Sequence, residues 1–180
     1  MRLSKNFSLS EFTESETASV RGISNRPTAK QIENLRWMCQ NVLQPIRDHY
    51  RTPLKISSGF RNAELNRAVG GVEDSYHRCL GYNAAADFSI PGVPIRKLFQ
   101  YISSANLPYT KLILEFDRWI HIAIERPKRA ALVAEKVNGK TRYRVYRTVL
   151  TIEEPMSYWE KIKQFWRELK EAWDCLFKQC

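Results

Sequence analysis

Apolar residues recur three and four positions apart at Ile32, Leu35, Met38, Val42, Leu43 and Ile46, which predicts a helix with one apolar face. Thr28 and Gln31 have capping-box spacing at its start, and Ser8 with Glu11 repeats the device before a short helix over 8–14. A brief helix over 62–69 closes on Gly70-Gly71, and Ile95, Leu98, Phe99 and Ile102 mark another amphipathic helix. Between these helices the apolar runs shorten. Segments 54–57, 86–90, 111–116 and 120–124, bounded by Pro53, Pro91-Gly92 and polar turns, read as strands. The sum predicts an α+β domain over 1–127, a small antiparallel sheet with helices packed on one side.

Past Pro127 the pattern changes. Segments 132–137 and 142–149 flank Asn138-Gly139, a hairpin signal that sets a basic extension over 128–150. This hairpin either extends the sheet or presents Arg142 and Arg144, with Arg147 nearby, to an anionic partner; the structural role is favoured. After Pro155, Ser157 and Glu160 again have capping-box spacing, and Trp159, Trp166 and Trp173 fall a heptad apart on one apolar face. An amphipathic C-terminal helix over 156–180 is expected. Its polar face mixes acids (Glu160, Glu168, Glu171) with bases (Lys161, Lys163, Arg167), which suits self-association or docking slightly better than a membrane surface.

Composition narrows the class. The 180 residues are 43% hydrophobic, enough for one domain with a real core and an appended element. The net charge of +10 suits a nucleic acid, a polyanionic cell wall or an acidic membrane surface, and alone separates none of them. Cys39, Cys79, Cys175 and Cys180 lack CxxC spacing, so reduced thiols are expected. The chain opens Met1-Arg2-Leu3-Ser4-Lys5-Asn6 without an apolar signal core, so cytoplasmic synthesis without a signal peptide is expected. No run of eighteen apolar residues predicts a transmembrane span.

Of the three histidines, His77 and His121 bracket Asp87 in short apolar surroundings. A His/Asp/His set supplies three positions of tetrahedral Zn²⁺ and leaves the fourth open, the catalytic arrangement. Cys79, two residues after His77, is a further possible ligand, but an exposed loop thiol is expected there.

The motifs around these residues come in a definite order. Asn6-Phe7-Ser8-Leu9-Ser10-Glu11-Phe12 and Asn34-Leu35 precede Ser58-Gly59-Phe60-Arg61, Leu65-Asn66 and Val69-Gly70-Gly71. Ser75-Tyr76-His77, Gly81, Ala85-Ala86-Asp87-Phe88, Leu114-Glu115-Phe116 and Trp119-Ile120-His121 follow. This order resembles the zinc D-alanyl-D-alanine carboxypeptidase family, which includes VanX-type dipeptidases and many phage endolysins, over about two thirds of the chain. The resemblance implies a zinc metallopeptidase that hydrolyses amide bonds in peptidoglycan stem peptides or cross-links. It implies Zn²⁺ on His77, Asp87 and His121, with Arg61 contacting substrate oxygen beside Ser58. Without an export signal, a phage lysis or virion protein acting on the cell wall fits better than a resident wall enzyme.

Two departures stand out. Asp87 follows His77 by ten positions where the common family pattern has seven, so 78–84 is an expanded loop carrying Tyr82. The family's acidic general base, three residues before the last histidine, is here Arg118. Glu115 and Asp117 are the replacements. A three-residue loop over 116–118 would set Glu115 opposite Trp119 and on the face of His121, whereas a two- or four-residue loop would favour Asp117 at the tip. Glu115 is the expected base. Two other readings stay open: a catalytically degenerate zinc-binding module of the same fold, and a basic nucleic-acid-binding protein, which rests on charge alone.

Overall fold

Six strands form one sheet in the order β1-β2-β4-β3-β5-β6, in a computed structural model of the chain that describes residues 1–125 and 130–145. They are β1 (Lys55–Ser58), β2 (Ala84–Ser89), β3 (Lys111–Glu115), β4 (Trp119–Ile124), β5 (Ala130–Val137) and β6 (Lys140–Val145). Six helices accompany them among the described residues: α1 (Ser10–Thr13), α2 (Glu16–Arg21), α3 (Ala29–Met38), α4 (Gln44–Tyr50), α5 (Ala63–Ala68) and α6 (Ile95–Ser104). The architecture is α+β as expected.

The sheet is mixed rather than purely antiparallel, because β5 runs parallel to β3. The cause lies in how β4 ends. Ala123 near its end opposes Lys111 at the start of β3, and Ala130 opposes that same Lys111 from the other side. β4 already has β2 and β3 as neighbours, so the chain takes the free edge of β3. Entering beside the start of β3, it must run in the same direction.

Period-two alternation sorts the side chains onto two faces. Ala84, Ala86, Phe88, Leu112, Leu114, Ile120, Ile122 and Val133 point into one buried cluster with Leu35, Met38, Ile46, Leu98, Phe99 and Ile102 of the helices. Each large apolar side chain so buried contributes on the order of 1.5–3 kcal/mol. α3 lies against β2, and α6 against β3 and β4. Asp87, His121, Ile113 and Glu115 therefore face the other way.

Helix starts follow their capping chemistry unevenly. Thr28 and Gln31 form the full capping box, with Thr28 N–H donating to Gln31 Oε1 at 2.8 Å. At Ser8 only half of it forms: the Glu11 carboxylate accepts from Ser8 N–H at 2.7 Å, while Leu9 occupies the cap position. The helix beginning at Ala29 does not run regularly to Tyr50, because a π-helical turn at Cys39–Leu43 joins α3 to α4. It lies just before Pro45, whose missing N–H and ring would cost about 3 kcal/mol inside a regular helix. α2 was not expected, though Ser15 caps it and Gly22 closes it at φ 64°.

β5 and β6 form a hairpin that extends the sheet. Asn138 and Gly139 adopt φ of 51° and 73°, as a two-residue type I′ turn requires. The second strand starts at Lys140, and Arg142 and Arg144 face the same side as Val133 and Glu135. Arg144 Nε donates to Glu135 Oε1 at 2.8 Å. Arg147 and the helix expected over 156–180 lie outside the described residues. Among the described residues, no helix is long and apolar enough to cross a membrane.

Candidate metal centre

Asp87 on β2 and His121 on β4 are directly paired in the sheet, which sets their side chains next to each other on the open face. His121 Nδ1 lies 2.7 Å from Asp87 Oδ1. His77, on a 3₁₀ turn at Tyr76–Arg78, brings its Nε2 to 3.4 Å from Asp87 Oδ2. The three residues offer ligand atoms that all lie within 4.8 Å of one another.

The backbone holds His77 in place. Its Nδ1 is 2.7 Å from the Gly59 carbonyl oxygen, which can only accept, so Nδ1 carries the proton and Nε2 keeps its lone pair for a metal. Gly59 is itself confined. A Cβ there would meet Phe12 Cα and its carbonyl oxygen at 2.6 Å, so only glycine fits between β1 and α1. Directly after it, Phe60 N–H donates to the Phe12 carbonyl at 2.7 Å and Arg61 N–H to the His77 carbonyl at 2.8 Å.

Arg61 completes the inner wall. Its Nε and Nη2 donate to Ser58 Oγ at 3.0 and 2.8 Å, and Nη2 reaches Asp87 Oδ2 at 3.4 Å. Burial alone would raise the Asp87 carboxyl, but His77 and His121 override it and hold the group well below the usual carboxylate range. Burial pushes His77 down, with Asp87 opposing. A carboxylate beside a neutral imidazole is the state in which these groups bind a divalent cation, so the donor set fits a metal.

The β3–β4 turn decides which acid stands near this cluster. Glu115 opposes Trp119 and Ile113 opposes His121, the three-residue-loop register. Glu115 thus shares the open face with His121, two residues along β3 from its partner. It is half-buried, and burial raises its pKa, with Asp87 adding to the rise while His121 and Lys136 oppose it. Asp117 sits at the turn with φ 57° and is tied up in an ion pair with Arg96. Arg118 lies over the Trp119 ring at 6.0 Å.

The expanded loop after His77 is pinned from α3. Asn34 Nδ2 donates to the carbonyls of Cys79 and Gly81 at 3.1 and 3.0 Å, and Gln31 Nε2 to that of Arg78 at 2.9 Å. The exposed thiol expected at Cys79 is a correction. Cys79 is fully buried, burial pushes its thiol up to about 12, and it is not part of the ligand cluster. Tyr82 is exposed, with the Lys30 ammonium 3.8 Å from its ring centroid.

One neighbour of the cluster escaped the sequence reading. Tyr76 donates its hydroxyl to Glu125, and the Lys111 ammonium lies 4.3 Å from its ring centroid. Burial and the Glu125 carboxylate push that phenol up to about 12. Its place beside a motif histidine was the available signal.

Residues 5–123 match a family model described as Peptidase M15. The comparison with curated proteins finds no match.

Proposed function

Since the chain belongs to the peptidase M15 family, the zinc D-Ala-D-Ala carboxypeptidase and VanX-like group, we propose that it is a zinc-dependent hydrolase of amide bonds in peptidoglycan stem peptides or cross-links. A carboxypeptidase or endopeptidase acting in phage-type lysis fits this reading. The observation that carries it is the His77/Asp87/His121 cluster with Glu115 on the same face of the sheet. The net charge of +10 supports it, because a basic protein is drawn to a polyanionic wall.

His77 through Nε2, Asp87 through its carboxylate and His121 through a ring nitrogen would hold the ion. A zinc ion bound there supplies Lewis acidity, polarising the scissile carbonyl and making water a stronger acid. Glu115 accepts the proton that water loses as its oxygen attacks the carbonyl carbon. It returns that proton to the nitrogen as the C–N bond breaks, leaving a carboxylic acid and an amine. Burial raises its pKa in the metal-free site, which favours a carboxyl that can hold the proton between the two halves of that transfer. Arg61, oriented by Ser58, donates to the oxygen on which negative charge develops, a contribution of about 3–4 kcal/mol for one such donor.

The test is incubation of the purified chain with muropeptides, with and without a chelator, read by mass spectrometry. Chelator-sensitive fragments are expected, and their termini name the bond cut. A chain that takes up one zinc ion and cleaves no muropeptide would instead be the degenerate zinc-binding module, to which the replacement of the family acid by Arg118 would then point.

A further inference from the structure

The open face of the sheet does not stop at β3. Glu115 opposes Ala134 across the parallel pair, and Ala134 opposes Tyr143 across the hairpin. Residues paired in this way project to the same side, so Trp119, Glu115, Ala134 and Tyr143 form one row over four strands. Strands lie about 4.8 Å apart, which puts the Tyr143 backbone about 10 Å from that of Glu115, with a single methyl group between them. Lys136 is two residues along from Ala134, on the same side and opposite Thr141. Its ammonium donates to Thr141 Oγ1 at 3.0 Å and lies 5.4 Å from the Phe116 ring centroid.

Other cations near this face are engaged. Arg61 is held by Ser58 and Asp87, and Lys111 lies against the Tyr76 ring. Lys136 makes no ion pair among the described residues. One hydroxyl and one ring face leave donors of its three N–H groups for an incoming anion. Tyr143 is 56% exposed, a large ring turned to solvent on the same side of the hairpin as Lys136. Glu115 is electrostatically coupled to both residues, so the three share one neighbourhood. An extended peptide rises about 3.3 Å per residue, so a chain whose scissile bond lies beside Glu115 reaches Tyr143 about three residues away. Both residues lie beyond the family-matched segment, which ends at 123.

We propose that Lys136 and Tyr143 form a substrate subsite for a carboxylate-bearing segment of the peptide, Lys136 pairing the carboxylate and the Tyr143 ring lying under the chain. This subsite rests on the peptidase reading of the metal cluster. It makes the enzyme selective for acidic peptides through a hairpin that the chemistry itself does not use.

The test pairs two stem-type peptides, identical except that the side-chain carboxylate about three residues from the scissile bond is free in one and amidated in the other. Binding is measured calorimetrically on zinc-loaded full-length Glu115→Gln protein, and cleavage on the zinc-loaded chain with Glu115 intact. The free carboxylate should be preferred by about two- to fivefold in Kd, the scale of one exposed charge pair. Lys136→Met should erase that preference and raise KM for the acidic peptide by a similar factor with kcat little changed, while Lys136→Arg retains it. Tyr143→Ser should weaken both peptides alike. A preference that survives Lys136→Met, or no preference with Lys136 present, overturns the subsite while leaving the peptidase standing. A zinc-loaded chain that neither binds nor cleaves either peptide overturns the peptidase reading and the subsite with it.

Discussion

The centre of the sheet and its hairpin edge share one open face but are built differently. At the β2–β4 pair, Ala84, Ala85, Ala86, Phe88, Ile120, Ile122 and Ala123 are wholly buried, and Asp87 and His121 project from between them. His77 is locked by the Gly59 carbonyl, and Gly59 by the Phe12 backbone. On β5 and β6 the polar contacts run between exposed side chains, Lys136 to Thr141 and Arg144 to Glu135, and Tyr143 stands in solvent. Groups that must meet a metal within tenths of an ångström need neighbours that cannot move. Groups that recognise a flexible peptide need reach and access, and an exposed strand edge supplies both.

The sharpest way to break this comparison is at the centre. His121→Ala leaves His77 and Asp87, too few ligands for a tight site. Bound zinc should fall from one per chain to none and hydrolysis to background, while the hairpin keeps its pairing. Elemental analysis after exhaustive dialysis reads the metal. A variant that still holds one ion per chain would place the ligands elsewhere.

Glu115→Gln comes next. The amide cannot accept the proton, so hydrolysis should drop about 10²–10⁴-fold while zinc stays bound. Asp117→Asn should change little, since that carboxylate is committed to Arg96 at the turn. A base works deprotonated, so kcat should be lost as pH falls through the Glu115 pKa. Burial raises that pKa in the metal-free site and a bound divalent cation opposes the rise, so the position of the acid limb reads the balance of the two. A pH–rate profile checks it. An unchanged acid limb in the residual activity of Glu115→Gln would assign the titration to another group.

What was legible in the sequence divides along the same lines. The alternation on β2 and β4 and the small residues before Asp87 read locally, because a buried central strand leaves few choices at each position. The β3–β4 register was open to a count of turn residues, with Phe116 and Asp117 taking the positive φ that closes so short a loop. The burial of Cys79 was not legible, because it depends on Asn34 reaching over from α3, 45 positions away in sequence. Nor does any local pattern state which strand edge a hairpin will join, so the parallel β3–β5 pair went unread. The π-helical turn hides inside a helical repeat that looks continuous, with Pro45 its one local cue.

Gly59→Ala probes the lock without touching a ligand. The added methyl would sit 2.6 Å from the Phe12 backbone, where no flexible side chain can give way. Displacement of β1 from α1 should cost about 1–3 kcal/mol of stability by overpacking. The Gly59 carbonyl orients His77, so zinc affinity should also fall, by about 10–100-fold. Urea titration and competition with a chromogenic chelator measure the two. Full stability with native affinity would mean that the centre yields as easily as the edge.

The smallest effect belongs to the hairpin edge. Arg144 and Glu135 form an ion pair at 2.8 Å, with side chains 58% and 48% exposed. Two hydrated charges at a strand edge gain little Coulomb energy and give up side-chain freedom, so such a pair contributes about 0.2–1 kcal/mol. Arg144→Ala should fall within that range and leave zinc binding and turnover as they are, because the pair faces away from Glu115 and the metal cluster. A double-mutant cycle with Glu135→Ala isolates the coupling, which 1 M salt should shrink further. A coupling above 2 kcal/mol, or a loss of bound zinc in either variant, would mean that the edge is tied to the centre after all, and the division of labour across the sheet would fail.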